Sequence, residues 1–106
     1  MKKHFNQEKQ NPGRRKRKGL VLIDFFSSWS APCETQSSIL DELSVSSKGM
    51  VDIVKVNIDD PDSESEKYSI SALPTLCLFK DGIEVKRFIG VQPLDTLLNE
   101  INFYRE

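Results

Sequence analysis

The sequence predicts an α/β fold in which a central mixed β-sheet of about four strands is flanked by helices. Short apolar runs rich in β-branched and aromatic residues indicate strands, and longer segments with apolar residues three and four positions apart indicate helices. The two kinds of segment alternate in the order β-α-β-α-β-β-α. This order predicts parallel strands joined by a helix, followed by an antiparallel hairpin.

The first predicted strand, Leu20–Phe26, is apolar apart from Asp24 and ends at a pair of serines. Because both of its faces are apolar, we expect a central position in a sheet that is covered by helices on both sides. A helix is predicted from Pro32 to about Ser46, since proline is favoured in the first turn of a helix. Its inner stripe has helical spacing and consists of Cys33, Gln36, Ile39, Leu40 and Leu43.

The second half of the chain gives similar signals. Residues 51–58 read as a β-branched strand, and the turn that follows leads to a short helix ending near Tyr68. Two further strands, 75–80 and 83–89, enclose Asp81-Gly82, a dipeptide that favours a tight hairpin. After Pro93, apolar residues at positions 94, 97, 98, 101 and 104 predict an amphipathic helix.

Charge divides the chain into two parts. Residues 1–19 carry eight basic residues and one acidic residue, whereas residues 20–106 carry seven basic and fifteen acidic residues. We therefore interpret 1–19 as a basic, flexible N-terminal arm and 20–106 as one folded domain. Nucleic-acid binding through residues 14–18 is not favoured, because no aromatic residue is interleaved with the basic ones.

Composition excludes several classes of protein. No apolar run approaches the roughly 20 residues that a membrane-spanning helix needs, and two cysteines are too few for a disulfide scaffold. The N-terminus lacks the apolar stretch of a signal peptide, so we expect a soluble, cytoplasmic protein. One histidine and two distant cysteines predict no metal site, and no cofactor is expected.

The segment Trp29-Ser30-Ala31-Pro32-Cys33 directly follows the predicted strand that contains Asp24. It resembles the active-site segment of the thioredoxin family, which reads Trp-Cys-Gly-Pro-Cys after a strand with a buried acid. The resemblance extends from Leu20 to the end and implies a thioredoxin-like fold with the N-terminal strand and helix shortened or absent. Ser30 stands at the position of the family's attacking cysteine.

Other landmarks support this resemblance. Leu73-Pro74-Thr75 resembles the family loop whose cis proline faces the active site, Gly90 matches a glycine beside the substrate groove, and Lys55 matches a lysine near the buried acid. The resemblance implies a protein or peptide partner in the groove, and a donor similar to thioredoxin reductase. The substrate-binding residues that it implies are Trp29, Ala31, Pro32, Leu73, Pro74, Thr75 and Gly90.

The family's chemistry needs two thiols, because a second thiol must attack the mixed disulfide that the first one forms. The resemblance gives Cys33, Ser30 and Asp24 as the catalytic positions, but an alcohol without a neighbouring base cannot replace the outer thiol. We therefore expect lost or altered reductase activity with a retained binding groove, and we expect Ser30 to cap the helix. Two alternatives remain: a monothiol redox protein working through Cys33, or an engineered serine form of an ordinary disulfide reductase.

Three buried groups also have structural interpretations. Cys33 can be a small apolar filler, and Asp24 can be a retained acid that is bonded to Lys55 or water. Cys77 lies in an apolar strand and is predicted to belong to the core. A disulfide between Cys33 and Cys77 is not expected, because the two residues lie on different elements with different facing.

Overall fold

The structure, a computed structural model, describes residues 19–105. The basic segment that the sequence sets apart as an arm lies outside these residues, apart from Gly19. One turn of 3₁₀ helix, Ser65–Tyr68, lies between the second and third strands. The strands and α-helices, in chain order, are β1 (Leu20–Phe26), α1 (Ala31–Ser46), β2 (Val51–Asn57), β3 (Thr75–Lys80), β4 (Ile83–Ile89) and α2 (Leu94–Tyr104).

The four strands form one sheet in the order β2-β1-β3-β4. β1 pairs in parallel with β2 and antiparallel with β3, and β3 pairs antiparallel with β4. The predicted mixed sheet and the central position of β1 are therefore confirmed. Asp81 and Gly82 both have positive φ angles, 51° and 88°, which confirms the tight hairpin predicted there.

One face of the sheet carries the larger apolar core. Side chains of β1 and β3 pack there against α1 through Leu40 and Leu43, and against α2 through Leu97 and Ile101. All four of these helix residues are almost completely buried. Both α-helices thus lie on the same face, and the prediction that helices cover both faces is wrong for the residues that the structure describes.

The opposite face packs against the polypeptide between β2 and β3, which forms only the 3₁₀ turn. Tyr68 from that turn contacts Phe25 with ring centroids 5.3 Å apart and Phe79 with centroids 6.2 Å apart. Cys77 belongs to this second core and is fully buried, as predicted. A proline and many small polar residues in 58–69 explain why only one helical turn forms there.

Candidate functional site

The candidate site lies at one end of the sheet, where four connections meet. β1 and β2 are parallel, so the segments that follow them leave at the same end. β3 runs in the opposite direction and β4 returns, so the segments before Thr75 and after Ile89 meet at this end as well. The fold therefore brings together the Trp29–Cys33 segment, the Leu73–Thr75 loop and Gly90.

Ser30 is the N-cap of α1. Its backbone is extended (φ −97°, ψ 113°), and its Oγ accepts a hydrogen bond from the backbone N–H of Cys33 at 3.3 Å. Ala31 and Pro32 form the exposed first positions of the helix. The predicted cap is confirmed: the hydroxyl satisfies one of the amides that a helix leaves unpaired at its N-terminus.

Cys33 occupies the first turn of α1 with a free thiol and only 3% of its surface exposed. Ser30 is also buried, at 7%. The two residues of the Ser-Ala-Pro-Cys segment that match the family's cysteines are therefore both shielded from water. A buried thiol is a poor nucleophile toward disulfides in solution, because its reactive form is the charged thiolate.

Asp24 is buried on β1, and its Oδ1 accepts no hydrogen bond from the residues that the structure describes. Burial raises the pKa of its carboxyl group to about 6, and the positive charge of Lys55 offsets part of this rise. Although Lys55 is opposite Asp24 in the β1–β2 register, its Nζ donates to Ser37 Oγ at 2.8 Å and lies 3.5 Å from Asp41. The interpretation in which Lys55 bonds directly to Asp24 is therefore wrong.

Trp29 projects into solvent with 72% of its surface exposed. Its Nε1 donates a hydrogen bond of 3.0 Å to Oδ2 of Asp59, in the connection after β2. Asp59 was not among the predicted site residues. The signal that could have identified it is the parallel pairing of the two strands, which places residues after β2 beside residues after β1.

The loop before β3 lies at the same end of the sheet as Trp29. The peptide bond between Leu73 and Pro74 is cis, and the carbonyl of Pro74 accepts a hydrogen bond of 2.9 Å from the backbone N–H of Gly90. Thr75 is fully buried and its hydroxyl donates to the carbonyl of Ala72 at 2.7 Å. Gly90 has a φ of 86°, which favours glycine, and a Cβ there would meet no atom within 4 Å. Open space therefore lies beside Gly90.

Gln36 connects α1 with the segment after Gly90. Its side chain is fully buried and makes two hydrogen bonds to the backbone of Gln92. The Gln92 side chain in turn donates to the carbonyl oxygens of Ile89 and Gly90, each at 3.3 Å. The sequence placed Gln36 on the inner stripe but gave no signal for Gln92, because this contact joins residues 56 positions apart.

The name Trp29 groove is used here for the surface at this end of the sheet, where Trp29, the Leu73–Thr75 loop and Gly90 come together. Ile89 and Val91 lie at the same end of the sheet and expose 56% and 38% of their surfaces. Within residues 19–105 there is no cluster of three His, Cys, Asp or Glu side chains that could hold a metal ion. In that same part of the chain, neither helix has the length and apolarity to cross a bilayer.

Comparison with known proteins gives a consistent family. The family model described as Thioredoxin matches residues 1–103 and so includes the basic segment. The thioredoxin of Chlamydia caviae is 46% identical over 84 residues, which cover 79% of this chain and 81% of the relative. The thioredoxin of Staphylococcus aureus is 38% identical over 79 residues, or 74% of this chain and 76% of the relative.

Solved structures show the same fold. Thioredoxin-2 of the malaria parasite, described as a component of that parasite's protein secretion machinery, superposes with a TM-score of 0.80 at 25% identity. That alignment covers 86% of this chain and 88% of thioredoxin-2. Chloroplastic thioredoxin z superposes with a TM-score of 0.79 at 21% identity over 96% of this chain and 92% of its own.

Proposed function

The chain belongs to the thioredoxin family, and we propose that it is a thioredoxin-like protein that binds polypeptide partners in the Trp29 groove but does not catalyse two-thiol disulfide exchange. The observation that carries this proposal is the place of Ser30. The residue at the position of the attacking thiol is a buried serine whose hydroxyl caps α1. We place the protein in the cytoplasm, where thiols such as its two free cysteines stay reduced.

Electron balance explains the loss of turnover. Reducing a target disulfide takes two electrons: one enzyme thiolate forms a mixed disulfide and expels a target thiolate, and a second enzyme thiol then expels the other target sulfur. The enzyme finishes with an internal disulfide. Ser30 Oγ cannot form such a bond. Cys77 cannot serve as the second sulfur for Cys33, because it packs in the core on the sheet face opposite α1.

The binding surface is retained. Trp29 remains exposed, and Pro74 and Gly90 remain joined by their backbone hydrogen bond. Exposed apolar side chains at this end of the sheet give an extended peptide a surface to contact. In the family this groove receives polypeptide substrates, and a reductase supplies electrons. We propose that this chain still binds polypeptides in the groove and does not need electrons from a reductase.

The test is a disulfide-reduction assay with dithiothreitol as the electron source. We expect no catalytic turnover by the wild-type protein or by Ser30→Ala, and measurable turnover by Ser30→Cys, which restores the second sulfur. Multiple turnovers by the wild-type protein would refute the proposed loss of activity. Inactivity of Ser30→Cys would show that the site differs from an active one by more than the missing sulfur.

Binding is tested separately, through the fluorescence of Trp29, the only tryptophan in the chain. Titration with unstructured peptides should change this emission saturably, and Trp29→Ala, followed by peptide anisotropy, should bind more weakly. If no peptide binds, the groove has no partner-binding role. Rapid alkylation of Cys33 in the native protein would favour the monothiol alternative, which the burial of this thiol opposes.

A further inference from the structure

The loops around the Trp29 groove carry charge of one sign. The four segments at this end, residues 27–37, 57–63, 70–76 and 88–95, contain no lysine or arginine. They contain five acidic residues, and all five side chains are exposed: Glu34, Asp59, Asp60, Asp62 and Asp95. We call these five residues the acidic rim.

The acidic rim lies on both sides of the groove. Asp59 touches it directly, through the 3.0 Å hydrogen bond from Trp29. Asp60 follows in the same connection, where its Oδ1 accepts from the backbone N–H of Asp62 at 2.9 Å and fixes the turn. Glu34 is in the first turn of α1, and Asp95 is in the first turn of α2 on the β4 side. A ligand in the groove therefore meets carboxylates from either direction.

Three of the seven basic residues in the described part of the chain lie at the other end of the sheet, and three more each pair with a glutamate. Lys48 follows the C-terminal end of α1, Lys80 ends β3 at the hairpin, and Arg105 ends α2. Lys55 is nearer the groove, and its ammonium group donates to Ser37 Oγ and pairs with the carboxylate of Asp41. Within 19–105, therefore, the basic side chains are either at the far end or paired with polar or acidic groups, and the four segments around the groove carry only negative charge.

Apolar surface lies inside the acidic rim. Trp29, Ile89 and Val91 expose 72%, 56% and 38% of their surfaces at this end of the sheet. An exposed apolar patch surrounded by polar residues marks an interaction site, and complementary charge selects the partner and speeds encounter. Apolar contact in the centre with negative charge around it fits a chain of alternating apolar and cationic character.

We propose that the partner of the Trp29 groove is an extended polypeptide segment in which an apolar residue is flanked by lysine or arginine. This inference rests on the proposed binding function and adds the chemical class of the partner. The apolar residue contacts the exposed ring of Trp29, and the flanking cations face Asp59–Asp62 on one side and Asp95 on the other. Because the rim is exposed to solvent, its attraction weakens as salt shortens the screening length from about 30 Å at 0.01 M to about 3 Å at 1 M.

The experiment compares three labelled peptides of equal length, each with one leucine flanked by lysines, by serines or by glutamates. Anisotropy titrations of the full chain should give about tenfold tighter binding of the lysine peptide than of the serine peptide at low salt, which corresponds to about 1.4 kcal/mol. The glutamate peptide should bind more weakly than both. At about 1 M salt the three affinities should converge.

Matched variants locate the effect. Asp60→Asn combined with Asp62→Asn removes two rim charges, and the preference for lysine should fall severalfold. Glu42→Gln combined with Glu100→Gln removes two charges from helix positions away from the groove and should preserve the preference. Equal affinity for the lysine and serine peptides, or an undiminished preference in the rim variant, would overturn this inference and leave the proposed function standing. Failure of every peptide to bind would instead overturn the proposed function.

Discussion

The side chain of Gln36 on α1 makes two hydrogen bonds to the backbone of Gln92, which follows β4. The backbone N–H of Gln92 donates to Oε1 of Gln36 at 2.7 Å, and Nε2 of Gln36 donates to the carbonyl oxygen of Gln92 at 3.1 Å. One buried amide thus satisfies both backbone groups of a residue two positions after Gly90. This pairing fixes one wall of the Trp29 groove to the helix that carries Cys33.

Gln36→Leu should therefore lower both stability and peptide affinity. The leucine fills the space but leaves the N–H and the carbonyl of Gln92 without their partner, and each such loss costs about 1–3 kcal/mol. Apolar burial of the leucine offsets part of this cost, so we expect a net loss of about 1–3 kcal/mol in the free energy of unfolding measured with urea. Exposed Glu42→Gln on the same helix should change it by less than about 0.5 kcal/mol. An unchanged stability for Gln36→Leu would contradict the role given to this pair.

Asp24→Asn should stabilise the protein at neutral and alkaline pH. The pKa of Asp24 rises from 3.8 to about 6 on folding, so between these values the native state holds a proton that the unfolded state has lost. Wild-type stability contributed by this group therefore falls as pH rises from about 4 to 6 and is constant above that range. At about 1.4 kcal/mol per pKa unit, the variant should gain up to about 3 kcal/mol at pH 8 and almost nothing near pH 4.

Urea denaturation of both proteins at several pH values measures this difference. The same substitution at exposed Asp62 is the matched control and should have little effect at any pH. A variant of Asp24 that is less stable than the wild type at pH 8 would mean that the carboxylate has a favourable partner.

Ser30→Ala should destabilise the domain by removing the N-cap of α1. Loss of such a side-chain acceptor costs about 0.5–2 kcal/mol. Ser28, an exposed neighbour outside the helix, provides the control, and Ser28→Ala should be close to neutral. Thermal unfolding of the three proteins measures the comparison. Equal stability of Ser30→Ala and the wild type would leave the buried serine without the structural role assigned to it.

Cys77 should resist alkylation in the native protein. Burial is the main cause that raises the pKa of its thiol to about 12, so the reactive thiolate is scarce at pH 8, and no reagent reaches the side chain. In a Cys33→Ala variant, where Cys77 is the only thiol, mass spectrometry should detect little modification by iodoacetamide until urea unfolds the chain. Complete labelling without denaturant would show that the second core opens readily.

Local patterns in the sequence predicted most of the fold. β-branched runs, helical spacing and the Asp81-Gly82 turn each depend on neighbouring residues, and the structure confirms the four strands and both α-helices at nearly the expected boundaries. The cap at Ser30 and the burial of Cys77 were also predicted from neighbouring residues, and the structure confirms both. The prediction that helices cover both faces of the sheet was wrong for residues 19–105, because which face a helix covers depends on the path of the connections and not on its own periodicity.

The sequence by itself determined the chemistry at the end of β1: a tryptophan, a serine and a cysteine at fixed spacing, after a strand that contains an acid. The tertiary structure decided what surrounds that chemistry. It placed Asp59 against Trp29, closed the Gln36–Gln92 pair, turned Lys55 toward Asp41, and gathered five acidic side chains around one groove. The physical reason is distance along the chain: a residue type supplies a chemical group, whereas the burial and charge partners that set its reactivity, and the shape of a groove, arise only when segments distant in the chain meet at one end of the sheet.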